Sequence, residues 1–339
     1  MTTRKKHSLV RLTRVAQAVA VAAALAGGSL PATAWAAAPA AGLKPVPSAA
    51  SPIAARAMVL GVAWAGPRAV AVGDQGVVLL SDDRGAHWRQ AQAVPVSSTL
   101  TAVHFVDAQH GWAAGHGGAI LATTDGGEHW QLQRLALGED RPLFSVHFFD
   151  AQRGVAVGLW SLVLTTDDGG RSWTEQKLPA PPGATKADAN LLQLFADAQG
   201  RLYAAGERGL VLQSTDQGRN WRYLPTGFKG SLWCGLALAD GRLLVGGQRG
   251  ALYQSEDGGA HWQRLPLDSQ SSVTALAAAP GGEVLAVGLD GLHATRTDVG
   301  PFRVAARPDR LALTAALADP AGGWLLGSRS GMRIGTAGK

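Results

Sequence analysis

Residues 100–135 read LTAVHFVDAQHGWAAGHGGAILATTDGGEHWQLQRL. Apolar positions alternate with polar or small ones in short bursts, and each burst stops at a cluster of Gly, Asp or Gln, which is the pattern of short antiparallel strands joined by tight turns. Strands are predicted over 101–105, 111–114 and 119–123, with a polar turn at 106–110 and a fourth strand starting at Trp130. Four such strands cannot bury both of their faces alone.

The stretch recurs. Five segments align without gaps as S/T-x-D-x-G-x-x-W: SDDRGAHW (81–88), TTDGGEHW (123–130), TDDGGRSW (166–173), STDQGRNW (214–221) and SEDGGAHW (255–262). Their tryptophans are 42, 43, 48 and 41 residues apart, a period that belongs to propellers and solenoids. A G-x-x-G turn precedes nearly every box, starting at Gly73, Gly115, Gly206, Gly247 and Gly288. The third copy carries Ser161 as its second member, and the last is read from Gly327 to Ser330, giving seven units. The sixth unit lacks a proper box and has Phe302 where the tryptophan falls. The fold expected is all-β: a seven-bladed β-propeller of four-stranded antiparallel blades, spanning 56–339. Because the seventh unit ends after its third strand, part of residues 42–53 is expected to supply the missing outer strand and close the ring.

The first 36 residues read as a secretory signal peptide rather than a retained helix. Arg4, Lys5, Lys6, Arg11 and Arg14 precede an apolar run over 15–30, and Ala34-Trp35-Ala36 offers an A-x-A cleavage site. No cysteine follows the run to accept a lipid, so the mature chain is expected in the periplasm without a membrane anchor, and as a monomer. Residues 37–55, rich in Ala, Pro and Ser, read as a flexible lead-in. The formal charge of +6 loses its meaning once divided along the chain, since residues 37–339 hold 26 basic against 25 acidic side chains. A nucleic-acid partner is therefore not expected. Lone Cys234 cannot form an internal disulfide and reads as a buried, inert thiol.

The box itself is explained by folding. Its carboxylate can accept nearby backbone N–H bonds, its hydroxyl adds a local bond, its Gly supplies a left-handed backbone and its Trp covers the blade junction. Asp83, Asp125, Asp168, Asp216 and Asp257, with Trp88, Trp130, Trp173, Trp221 and Trp262, are accordingly read as structural. Five equivalent carboxylates spread around a rim cannot converge on one substrate.

These units resemble the bacterial neuraminidase, or Asp-box, repeat. Combined with second strands such as G-W-A-A-G (111–115) and the following G-x-x-G turns, they resemble the photosystem II stability and assembly factor family. The resemblance implies a seven-bladed propeller acting as a non-enzymatic chaperone or scaffold, in some members through an arginine-rich patch. It does not carry function as firmly as fold, because Asp boxes also occur in sialidases and sorting receptors.

A sialidase-like reaction needs an arginine triad and an activated tyrosine. The chain has only Tyr203, Tyr223 and Tyr253, two inside predicted strands of different units and one just after a box Trp. His87, His129 and His261 occupy the variable box position and read as solvent-facing turn residues. No metal-ligand spacing, P-loop or dinucleotide fingerprint is present, so no metal or cofactor is expected. The leading expectation is a non-enzymatic scaffold or assembly factor for an envelope or membrane complex. The alternative is a glycan-active enzyme or lectin using the same face.

That face is formed by the G-x-x-G turns, opposite the boxes. The residue third in each turn lines it in order: Gln75, Gly117, Trp160, Arg208, Arg249, Asp290 and Arg329, with His116, Glu207 and Gln248 beside them. Arg and Trp are enriched at binding hot spots, and these residues are the candidate partner-binding site. The longer insert in the fourth unit, 179–190, reads as a tolerated insertion, with a recognition loop as the alternative.

Overall fold

A short strand with alternating apolar residues leaves two faces to cover. In the computed structural model, which describes residues 44–297 and 300–335, seven small sheets cover each other's faces as the blades of a β-propeller. Six sheets hold four antiparallel strands in sequence order. Blade 1 comprises Val59–Ala65, Arg68–Gly73, Val78–Ser81 and Arg89–Gln90. The other blades start with the inner strands Leu100–Phe105, Leu143–Phe148, Leu191–Ala196, Leu232–Ala237, Val273–Ala278 and Leu313–Ala318.

The cores lie between blades rather than within them. Val70 and Leu80 of blade 1 pack with Leu121 and Trp130 of blade 2, and Cys234 of blade 5 is enclosed with Val273, Val284 and Leu292 of blade 6. Burial pushes the Cys234 thiol far above its ordinary pKa, which leaves it protonated and inert. Phe302 takes the place of the box tryptophan in blade 6, buried and with the Arg296 guanidinium 4.9 Å from its ring centre.

Inner strands are stapled to their neighbours by threonines at a register shift. Thr101 lies where the pairing slips between Leu100 and Ala102, and its hydroxyl donates to Leu143 O of the next blade at 2.8 Å. Thr274 does the same to Leu313 O at 2.7 Å. Thr314 reaches Val59 O and so joins the seventh blade to the first. Trp64 Nε1, donating to Ala318 O at 2.8 Å, and the Arg84–Asp319 ion pair add to this closure.

Closure differs from the sequence expectation in one respect. Residues 44–53 form no strand, and the seventh sheet has three strands among the described residues; residues 42 and 43 lie outside these. The segment instead follows the outer edge of blade 1. Ser48 N–H donates to Val94 O at 3.0 Å, and the Gln90 amide accepts from Ser51 N and donates to Ala49 O. Pro45, Pro47 and Pro52 remove the donors that a ladder needs. Ala54–Arg56 then forms a single 3-10 turn, and a Cβ built on Gly331 would stand 2.0 Å from Ala55 O. Gly76 and Gly250 meet Val96 O and Ser269 O in the same way, at 2.0 and 2.2 Å. Residues 44–56 thus supply the connection into blade 1, and none of residues 44–53 forms a strand of blade 7.

Candidate docking face

The two rims of the propeller are built from turns of opposite character. On the box rim, Asp125 Oδ1 accepts from His129 N at 3.0 Å and from Thr123 Oγ1 at 2.8 Å. Gly127 N donates to the Thr123 hydroxyl at 3.1 Å, and Trp130 Nε1 donates to Gly127 O at 2.9 Å. The carboxylates of Asp83, Asp168, Asp216 and Asp257 repeat the first two bonds. The second carboxylate oxygen faces Nδ1 of His87, His129 or His261 in three boxes, and accepts from Ser172 or Asn220 in the other two. The backbone N–H of His87 thereby holds Asp83 down to about 2, and the Ser172 hydroxyl holds Asp168 at about 2. Each carboxylate is consumed by its own turn, on its own blade.

On the opposite rim, Gln75, Gly117, Trp160, Arg208, Arg249 and Asp290 share one left-handed backbone position, with φ between 53° and 67°. Arg329 does not share it. The pairing of Leu313 with Ser328 matches that of Val59 with Gly73, so the seventh turn runs from Ser328 to Gly331, one residue later than the sequence reading from Gly327. Arg329 therefore corresponds to the turn position of Glu207 and Gln248.

These candidate residues do not form one continuous ring of contacts. Trp160, Glu207 and Arg208 come together around a pocket of about 520 Å³, whose other walls are Lys186, Ala187, Asp188 and Asn190. Asp290 and Arg329 border a second cleft with Arg310, whose guanidinium lies 3.7 Å from the Asp290 carboxylate. Gln75 lies against the lead-in, where its carbonyl accepts from the Ser48 hydroxyl. The Gln248 side chain accepts from Ser231 N, and Arg249 stands beside it with no ion pair among the described residues. His116 opens the blade 2 turn and has its backbone N–H on Thr99 O.

The pocket depends on two sequence departures that turn out to be one feature. Ser161 has φ +57°, left-handed like Trp160 before it, although every other blade has Gly at that place. In blade 4 a Cβ on the equivalent Gly209 would stand 2.0 Å from Phe228 O. In blade 3 the corresponding connection is the 179–190 insert, and it accommodates the serine. Ala189 O accepts from both Ser161 N (2.9 Å) and Ser161 Oγ (3.0 Å). Asn190 Oδ1 accepts from Trp160 N at 2.9 Å, while Asn190 N and Nδ2 each donate to Glu207 at 3.0 Å. The insert thus fastens the blade 3 turn to the blade 4 turn and leaves the Trp160 side chain in solvent, the residue being 59% exposed. Lys186, Asp188 and Asn190 were not among the sequence candidates. Their only signal was the extra length next to a turn missing its glycine.

The axial channel, about 270 Å³, offers a different surface, lined by Thr101, His104, Ser145, His147, Gln193 and Trp233 among mostly aliphatic residues. None of its lining residues is a carboxylate or a tyrosine. Tyr203 is buried within blade 4, bonded to Asp197 and Gln213, and Tyr223 donates to Pro179 O. Tyr253 packs against Phe228. The three tyrosines are thereby engaged away from the axis.

Comparison with known proteins agrees with this architecture. The family model described as Photosynthesis system II assembly factor YCF48 matches residues 84–190 and 141–298. A solved structure of "YCF48 bound to D1 peptide" superposes with a TM-score of 0.69 at 18% identity, covering 84% of this chain and 95% of its own. One of YCF48 from Cyanidioschyzon merolae gives 0.66 at 14% identity, covering 82% and 95%. No curated protein matches the chain in sequence. With its repeated boxes, its seven blades and a family match over more than half its length, the chain belongs to the Photosynthesis system II assembly factor YCF48 family.

Proposed function

We propose that the protein is a non-enzymatic assembly factor, exported to the periplasm with cleavage after Ala36, that holds a polypeptide segment of a membrane-complex subunit on its G-x-x-G rim. One observation carries the reading. An indole is held in solvent on a strained turn, beside a pocket that Lys186 and Arg208 also line, while the box carboxylates of the opposite rim are bonded within their own turns. Strain and exposed aromatic area at one place favour a binding role over a folding role. A related propeller described as bound to a D1 peptide lends support to a polypeptide as the occupant.

Affinity capture with cross-linking from envelope extract tests it, using the mature chain from residue 37. The variants Trp160→Ala and Arg208→Glu with Arg249→Glu are expected to keep the wild-type circular dichroism and melting curve and to lose the partner that the wild type retains. Undiminished capture by both variants would sink this face as the docking site. Hydrolysis of sialosides or β-glycosides at ordinary enzyme rates would move the protein into the glycan-active class. Recovery of the protein in the periplasmic fraction with Ala37 at its N-terminus checks the export step.

A further inference from the structure

The pocket between blades 3 and 4 already contains a carboxylate of its own. Asp188, carried by the insert, places one oxygen 2.8 Å from Arg208 Nη1 and the other 3.4 Å from Lys186 Nζ. Two cations thus converge on one acid. The Arg208 and Lys186 side chains are 54% and 75% exposed, so the pairing is solvent-screened and readily exchanged. Glu207, the other acid of the pocket, is occupied differently. Both its oxygens accept from Asn190, which directs them to the turn-fastening bonds rather than to the cations.

We infer that Asp188 is a built-in competitor, and that the pocket takes an acidic side chain of an extended partner segment, whose carboxylate replaces Asp188 on Arg208 and Lys186. An apolar neighbour on that segment then covers the Trp160 indole. The site suits an internal acidic residue rather than a chain end. Trp160 and Arg208 stand on adjacent turns, and a segment laid across both continues toward Arg249 on the next turn, where a further cation has no ion pair among the described residues. Exchange of one carboxylate for another leaves the charge on Arg208 compensated in both states, so the free protein does not present an unpaired guanidinium to every anion it meets. The insert in this view sets selectivity: only a segment that also contributes the apolar contact gains over the resident aspartate.

This inference rests on the docking reading of the same rim, and its test is arranged to fail separately. The probes are N-acetylated, C-amidated peptides of sequence Leu-Glu-Leu-Asp-Leu and Leu-Gln-Leu-Asn-Leu, titrated calorimetrically into the full mature chain, with the second peptide also used as a free C-terminal acid. The acidic capped peptide is expected to bind more tightly than either form of the amide peptide, and to weaken with added salt. Asp188→Asn is expected to tighten the acidic peptide about three- to fivefold, and Arg208→Gln with Lys186→Gln to weaken it about tenfold. The variants should melt with the wild type. No detectable binding of the acidic peptide at millimolar concentration, a preference for the free chain end, or an unchanged affinity in Asp188→Asn would each overturn the inference. If the wild type still captures an envelope partner in that case, the docking reading survives. Absence of any captured partner removes both.

Discussion

Both rims of this propeller are made of left-handed turns, yet they differ in where the polar groups go. On the box rim the Asp carboxylate, the Ser or Thr hydroxyl and the Gly N–H close on one another, and Trp130 and Trp221 are buried with their indole N–H on the turn's own carbonyl. On the opposite rim, blades 3 and 4 leave the Trp160, Lys186 and Arg208 side chains exposed to solvent, and their turns are fastened by backbone bonds, the Ser161 hydroxyl and Asn190. In all five boxes the carboxylate, the hydroxyl and the Gly N–H are satisfied within the turn, and such a turn is a fastener. The blade 3 turn breaks its own repeat, with Trp-Ser where the other blades end in Gly and with an insert to accommodate it, and that departure is what the proposed docking role rests on.

The widest gap should appear on truncating one tryptophan from each rim. Trp130 is 4% exposed and packs with Val70, Leu80 and Leu121 across the junction of blades 1 and 2. Trp130→Ala should cost about 3–5 kcal/mol, the cavity and transfer terms of a large core aromatic. Trp160→Ala should change stability by no more than about 0.5 kcal/mol, as exposed positions generally do. Urea midpoints at constant slope measure both. Similar losses would erase the distinction between the rims.

Titration sharpens the comparison by separating the box rim from the axis. His104 and His147 face each other in the channel with ring centres 4.5 Å apart. Their enclosure lowers them from 6.5 to about 4 and about 3, the charge of His104 adding to the effect on His147. Both folded values lie below the unfolded one. Their stabilisation is therefore complete above pH 6.5 and is lost as pH falls through 4 toward 3. The box carboxylates Asp83 and Asp168, held at about 2 against 3.8, keep their contribution above pH 3.8 and lose it only as pH drops toward 2. Replacing both histidines with Gln should remove on the order of 3 kcal/mol of pH dependence per histidine between pH 6.5 and 4, leaving the limb below pH 3 unchanged. Denaturant titrations at stepped pH check it. Loss of the acidic limb in that variant would mean that the box rim does not titrate independently.

What was legible in the sequence was local. Strand alternation, the S/T-x-D-x-G-x-x-W spacing and the G-x-x-G turns each lie within a few residues, so blade number and the character of the box rim followed from pattern alone. What was not legible depends on residues far apart. The bond from Trp64 to Ala318 O and the hydroxyl of Thr314 on Val59 O join residues more than 250 positions apart, and no period announces them. The seventh turn was misplaced by one residue because Ser328 stands where the other blades have Gly, and only strand pairing with Leu313 fixes its register. The insert was visible as extra length. Its role as a pocket wall was not, because it rests on Lys186, Asp188 and Asn190 meeting side chains on two other turns.

The smallest expected effect lies at the place where the two kinds of turn diverge. Ser161→Gly restores the glycine found at the same place in the other blades. It removes a left-handed Cβ-bearing residue, worth roughly 1–2 kcal/mol in favour of the variant. Against this, it deletes the hydroxyl bond to Ala189 O, about 1 kcal/mol, and loosens the unfolded chain by a further ~0.5–1 kcal/mol. These terms nearly cancel, so the urea midpoint should move by the equivalent of less than about 1 kcal/mol. Docking should respond in another way. The Ser161 hydroxyl is one of the bonds holding the Trp160 turn against the insert, and without it the indole samples more orientations, so partner affinity should fall about two- to fivefold through lost preorganisation. A stability loss above about 2 kcal/mol would place Ser161 with the fasteners of the other rim, and the strained turn would then be a folding device like the boxes.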